Sequence, residues 1–319
     1  MSLLTSPILA SVTLLHIPDG FLNLFVSLLC WLISLAVLAA AIRSTQRQFD
    51  ERLAPLAGIM AAFIFAAQMI NFPVAGGTSG HLVGATLAFV VLGPWLGMLA
   101  MTAVIASQAI FFQDGGLLVM GANILVMGIV PGVIGYGIYQ LGRSRSRAIQ
   151  LTVAGVAAWV SIMAAALVVS LLLGASGTTS LSVAIPAMLG IHALIGLGEA
   201  LITAAALSFV LQTRPTLVQD GAVSGQKRWA IAGTLVTLFV LLLAPLASAS
   251  PDGLEWVAEQ TGFLDAAQDA PYSILPDYTV PFLGETGLST ILAGLMGILL
   301  VVGVMFLLFR VLRRPRQVS

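Results

Sequence analysis

Three features of the sequence predict an all-α polytopic membrane protein. The chain is 59% hydrophobic and 8% charged, whereas a soluble domain carries roughly 25% charged residues. Apolar runs recur along its length, several of them near the ~20 residues a helix needs to cross the hydrocarbon core. The runs lack the short apolar–polar alternation of a transmembrane β-barrel. Mean hydropathy is +1.06. Formal net charge is zero, and no basic stripe suggests a nucleic-acid partner.

The elements follow in order. Residues 1–15 are apolar but too short for a span, and they lack the basic n-region and Ala-x-Ala site of a signal peptide. A polar turn, His16-Ile-Pro-Asp19-Gly-Phe-Leu22, precedes the first span at about 21–42. Pro18 fixes φ near −65° and Gly20 permits a sharp bend, so the direction of His16 is constrained. The second span, about 53–72, ends in an uncharged glycine-rich bend, 73–80, which leads to His81. Breaks at Gly93-Pro94 and Gln113-Asp-Gly-Gly116 divide 81–141 into three spans, roughly 81–95, 96–112 and 117–141, the first two short for a crossing. Spans at about 148–174 and 182–211 follow, the latter containing Pro186. A polar linker, 212–228, leads to spans at about 229–248 and 288–309. The expectation is a seven-span bundle plus a two-span C-terminal hairpin.

Charge orients this layout. All 13 Lys and Arg fall at 43–52, 143–147, 214–228 and 310–316, while 249–287 carries seven acids and no base. With nine spans, the positive-inside rule puts the N-terminus outside and the C-terminus in the cytoplasm of an inner (plasma) membrane protein. Residues 16–211 form one Gly- and Ala-rich unit suited to close helix packing, and 229–319 a second, hairpin-like unit.

Chemistry-bearing residues are few. His16 and His81 are two of three histidines, each beside a Pro/Gly turn. Imidazole is a good ligand for nickel, cobalt, copper and zinc. Two imidazoles alone bind weakly, so Asp19, Asn71, Thr78, Ser79 or backbone nitrogen are candidate helpers; interfacial hydrogen bonding is the competing reading. His192 and Glu199 lie seven residues apart, on one helix face. A carboxyl within a span costs a few kcal/mol by insertion scales and so faces a partner or a cavity. Coupling, ion passage and pinning of two helices are the open readings. Gln68, Gln108 and Asn123 suit interhelical hydrogen bonds, and Met120 and Met127 suit core packing. The single cysteine, Cys30, excludes an intrachain disulfide and a thiolate cluster, and reads as a small buried residue. No Walker loop, His-Glu-x-x-His or Gly-x-Ser-x-Gly is present. The chain reads as a non-enzyme, and any ATPase must be another chain.

Three motifs in order, His16-Ile-Pro-Asp-Gly-Phe-Leu22, Pro73-Val-Ala-Gly-Gly-Thr-Ser-Gly-His81 and Ile191-His-Ala-Leu-Ile-Gly-Leu-Gly-Glu-Ala-Leu-Ile-Thr203, resemble the cobalt/nickel substrate-binding membrane components of energy-coupling-factor transporters, CbiM and NikM. Ser250-Pro-Asp-Gly-Leu-Glu-Trp-Val-Ala-Glu259 and Leu275-Pro-Asp-Tyr-Thr-Val280 are similar to their small two-span (PDGLE) partner subunit, here fused. The resemblance implies capture of Ni2+ or Co2+ outside and uptake driven by a coupling transmembrane subunit with ABC-type ATPases. It also implies a metal site of four nitrogens: a terminal amine, the next residue's backbone nitrogen, that residue's imidazole and a later histidine. Carried over, the last three are the His16 backbone, the His16 ring and the His81 ring. A planar set of nitrogens suits Ni(II), and donors that must lose protons predict weaker uptake at acid pH. The amine would belong to Leu15 only if that residue is the mature N-terminus, as a UUG or CUG start codon would make it. Processing, or a genuine extension with a modified site, are the alternatives. An ion-gradient-driven metal carrier using Glu199 and His192 as a proton relay competes with this reading, as does a non-transporting scaffold.

Overall fold

The computed structural model of the protein describes residues 16–213 and 226–313. Residues 1–15, Leu15 among them, and most of the expected 212–228 linker lie outside the described residues. The described residues form ten α-helices and one small hairpin. The helices are α1 (Leu24–Arg47), α2 (Ala54–Gln68), α3 (Ala85–Leu92), α4 (Pro94–Phe112), α5 (Met120–Gln140), α6 (Arg147–Ser176), α7 (Leu181–Thr213), α8 (Gln226–Leu243), α9 (Gly253–Thr261) and α10 (Gly287–Leu312). Strands β1 (Phe72–Val74) and β2 (Thr78–Gly80) pair antiparallel, with Val74 opposite Thr78. The chain is an all-α polytopic membrane protein.

Seven helices among the described residues are long and apolar enough to cross a membrane. The other two expected spans are shorter. The expected 53–72 span is α2, 15 residues, and it is buried on nearly every side by α4, α8 and α10. A helix shielded from lipid need not match the bilayer thickness. The expected 81–95 span is α3, only eight residues and about 12 Å long. Residues 81–84 ahead of it are not helical, and Gly84 and Gly93, both at φ 78°, bound it. Gly93 and Trp95 nonetheless share a crevice with Gln48, Asp50 and Phe309. α3 thus runs from a recessed point near His81 to the basic end of the bundle. Pro186 sits in the second turn of α7, and the helix continues past it.

The two ends differ chemically. At one, Arg313 Nε lies 3.0 Å from Glu51 Oε1, and Arg147 Nη2 donates to Ser208 O at 3.0 Å. At the other, Thr178 Oγ1 donates to Phe21 O, Ser248 N to Asn71 O and Gln268 N to Asp19 O. The acidic connection between α8 and α10 folds over this second end and carries α9. Leu24, Phe25, Leu28, Leu32 and Leu35 of α1 are exposed, as a lipid-facing stripe would be. Cys30 is buried at 1% exposure, as a small core residue.

Candidate metal centre

His16 is held from three directions. Ile17 N donates to Asn123 Oδ1 and Asn123 Nδ2 donates back to Ile17 O, both at 3.0 Å. Gly116 N donates to Ile17 O at 3.0 Å. Asp19 accepts Leu117 N and Val119 N, one on each carboxylate oxygen, at 3.1 Å. The polar turn is thereby stitched to the 114–123 segment. π-helical turns, Gln108–Phe112 before Asp114 and Ile124–Ile129 after Asn123, flank the segment; such turns are frequent at functional sites. Gly116 is required here: a Cβ would overlap the Asp19 carboxylate and backbone nitrogen. Gly116→Ala is therefore expected to lower stability by about 1–3 kcal/mol and to weaken metal binding. Thermal unfolding of the purified protein checks it; an unchanged midpoint would remove the Asp19 clamp from this account.

His81 arrives from the hairpin. Gly76 and Gly77, both at positive φ, turn the chain so that β2 delivers His81 directly after Gly80. Ile195 of α7 fills the space where a side chain at Gly80 would go, 2.6 Å from the ideal Cβ. Beyond His81, Glu199 of α7 accepts Val83 N at 2.6 Å and Gly84 N at 2.9 Å. Gln68 Nε2 donates to Val83 O at 2.8 Å. The carboxylate caps the free amides at the start of α3, which fixes the backbone two residues from His81.

The two rings meet. His16 and His81 centroids lie 5.9 Å apart at 63°, at 3% and 9% exposure. His16 Nδ1 is 2.5 Å from Asp114 Oδ1, while its buried Nε2 has no hydrogen-bond partner among the described residues. His81 Nδ1 lies 3.1 Å from Leu82 O, and His81 Nε2 lies 4.0 Å from Asp252 Oδ2. Asp252 reaches this point because 250–251 docks on β2: Ser79 N donates to Pro251 O at 2.8 Å, and Ser79 Oγ to Ser250 O at 2.7 Å. Burial pushes the Asp252 carboxyl up, and the neighbouring His81 opposes that shift. His16, His81 and Asp252, together with Asn123, Met127, Met188 and His192, line a cavity of about 80 Å³, room for an ion with water.

The expected helpers separate. Asp19, Asn71, Thr78 and Ser79 do not line the cavity. Asp19 is committed to backbone amides, and Thr78 and Ser79 donate to the 250–251 carbonyls. Asn71 sits where its carbonyl accepts Ser248 N. His192 lines the cavity and Glu199 does not. The hydrogen bonds of His192 go to Met188 O and those of Glu199 to Val83 and Gly84, not to each other. Among the described residues no three His, Cys, Asp or Glu side chains form a ready metal cluster. Asp114, Asp252 and Tyr278 were not singled out as site residues by sequence. The available signal was acids followed by glycine, in Asp114-Gly115 and Asp252-Gly253, where the backbone can turn sharply.

Comparison with known proteins supplies a relationship. A family model described as a cobalt uptake substrate-specific transmembrane region, CbiM, matches residues 16–217, and a PDGLE domain model matches 227–314. The putative fused nickel transport protein NikMN of Archaeoglobus fulgidus is 37% identical over 303 residues, covering 94% of this chain and 99% of that protein. The fused nickel transport protein NikMN of Rhodobacter capsulatus is 32% identical, covering 90% and 95%. A crystal structure described as a truncated transition metal transporter superposes with a TM-score of 0.56 at 35% identity, covering 62% of this chain and 98% of that one.

Proposed function

The chain belongs to the CbiM family of cobalt-uptake substrate-specific transmembrane regions, and from that membership we propose that it captures Ni2+ or Co2+ as the substrate-specific membrane component of an energy-coupling-factor transporter. Residues 16–211 are the metal-binding unit and 229–319 an accessory unit, whose 250–254 segment lies at the site. A coupling transmembrane subunit and ABC-type ATPases supply the energy. The observation that carries this reading is the convergence of two buried imidazoles, His16 and His81, on one cavity. Imidazole matches late first-row divalent ions. The positive-inside rule puts the basic end in the cytoplasm and the site outside. The relatives named for nickel favour nickel. The Leu15 amine and the His16 backbone nitrogen are the further donors that the family resemblance implies.

The direct test is metal accumulation, by elemental analysis of cells carrying this chain with or without its coupling and ATPase subunits. Accumulation that needs the ATPase supports the proposal. Accumulation that survives ATPase deletion but collapses with an uncoupler would put the gradient-driven carrier in its place. Asp252 gives a second check. It lines the cavity, with its carboxylate 4.0 Å from His81 Nε2, so Asp252→Ala is expected to raise the metal concentration for half-maximal uptake by about tenfold, roughly 1.4 kcal/mol. Uptake measured across a range of limiting metal concentrations reads this directly. An unshifted curve would reduce Asp252 to the helix cap it also forms with Glu255 N at 2.7 Å.

A further inference from the structure

The accessory unit leaves a furrow where it joins the metal-binding unit. Among the described residues α8 packs on α2 but not closely on α7. Gly233 of α8 lies against α2, where an ideal Cβ would come 2.8 Å from Ile59 Cγ2. Between α7 and α8 runs a cavity of about 320 Å³, floored by Met60 and Phe63 of α2 and walled by Ile202, Ala205, Phe209 and Trp229. No charged side chain is among the described residues that line it. Ala205 is exposed, as are Leu201, Ile231 and Leu235 on the two flanking helices. The furrow therefore opens sideways, toward lipid. Along α7 it extends from Ile202 to Val210, about 12 Å, within one leaflet of a ~30 Å hydrocarbon core.

One end of the furrow is basic. On α7, Phe209 and Val210 stand just before the helix end at Thr213, and Arg214 follows. α8 begins Gln226-Lys227-Arg228, directly ahead of Trp229. Beside Phe209, Ser208 O accepts Arg147 Nη2 at 3.0 Å and Ser208 Oγ accepts it at 3.3 Å. Asp220 is the one acid in the 214–228 stretch. Tryptophan favours the headgroup boundary, and basic pockets between membrane helices bind anionic headgroups.

We propose that this furrow holds an acyl chain of an anionic phospholipid, its headgroup at the basic end where α7 and α8 meet the linker. Lipid tails are as apolar as the walls, so burial of the chain does not choose between lipids. The headgroup does. Each basic residue near the membrane surface favours an anionic lipid by about fivefold, and positions 147, 227 and 228 supply three. The bound chain touches α2, α7 and α8 together and so bridges the two units. Such a site is independent of the metal centre.

The experiment uses the full chain in phosphatidylcholine vesicles containing a minority of brominated phosphatidylglycerol, and in the converse mixture with the bromine on phosphatidylcholine. Bromine quenches indole emission on contact. Trp229 is only 4% exposed yet lines the furrow, so its emission, taken as the difference from Trp229→Phe, reads the occupant of the furrow. Brominated phosphatidylglycerol is expected to occupy it with about tenfold or greater preference. Lys227→Gln combined with Arg228→Gln is expected to lower that preference at least about fivefold. Ala205→Phe puts a ring into the open furrow and is expected to abolish quenching by either lipid without moving the thermal unfolding midpoint. Where that variant does shift the midpoint, the charge variant decides alone. Equal quenching by the two lipids, or a preference that survives the charge variant, would overturn the proposal. So would quenching that survives Ala205→Phe. A Trp229 that neither lipid quenches, but whose emission changes on adding the coupling subunit, would give the furrow to a protein helix instead.

Discussion

Replacing His81 with alanine is expected to abolish metal uptake at limiting concentration and to weaken Ni2+ or Co2+ binding by at least about a hundredfold. The argument is one of donor count. Within the described residues, only His16 and His81 pair imidazoles across the cavity at close range, with centroids 5.9 Å apart. Removing one leaves the His16 ring, the Asp252 carboxylate and the cavity-lining His192, whose Nδ1 is held by Met188 O, a set with no close imidazole pair that holds a late transition ion poorly. A hundredfold loss corresponds to about 2.8 kcal/mol, well within what one coordinating imidazole contributes. The fold should tolerate the change, because His81 follows β2 at the cavity wall and is not a central packing residue. Equilibrium dialysis with the purified variant, beside uptake in cells, gives both readouts. His81→Ala that binds and transports like the parent would favour the scaffold reading. A variant that binds normally but does not transport would move His81 from capture to release.

The second large effect is expected at Glu199. Its carboxylate is buried at 1% exposure and accepts two backbone amides, Val83 N and Gly84 N. A buried N–H left without an acceptor costs about 1–3 kcal/mol. Glu199→Ala orphans two, so the expected destabilisation is roughly 2–6 kcal/mol at most, less where a water enters the gap. The same change frees the backbone two residues from His81, so uptake should fall with stability. Glu199→Gln sharpens the test. It keeps one acceptor oxygen and turns an NH2 toward the second amide, so it is expected to lose about half as much. Thermal unfolding of the three proteins in detergent orders them: parent, then Gln, then Ala. If Glu199→Gln matches the parent in unfolding and loses only transport, the carboxyl acts as a charge in coupling and the relay reading returns.

Glu199 also marks the limit of what a linear reading offers. An acid in an apolar run announces that it has a partner, and its heptad spacing from His192 puts both on one face of α7. What it cannot announce is that the partners are the amides ahead of an eight-residue helix, 116 and 115 residues away. The identities of Val83 and Gly84 carry no trace of this, because backbone N–H groups are the same in every residue but proline. The expected ligand helpers illustrate the converse. Asp19, Thr78 and Ser79 are polar and close in sequence to the histidines, yet each is committed to a backbone group of another segment.

The sequence by itself determined the membrane class, the approximate positions of most helices and the charge asymmetry between the two ends, and it named His16 and His81 as a candidate pair, whose rings the fold brings to 5.9 Å. These rest on composition, on apolar run length and on rare residues flanked by Pro and Gly, all of them local properties. Only the tertiary structure decided which side chains lie next to these histidines. Asp114 meets His16 across 98 residues, Tyr278 meets Asp114 across 164, and Asp252 reaches His81 from the accessory unit. The same applies to α3, where the run length suggested a span and the fold delivers eight helical residues preceded by a recessed, non-helical approach. Hydrogen bonding and packing between distant segments fix such details. Their energies depend on geometry that the pattern of a single segment does not encode.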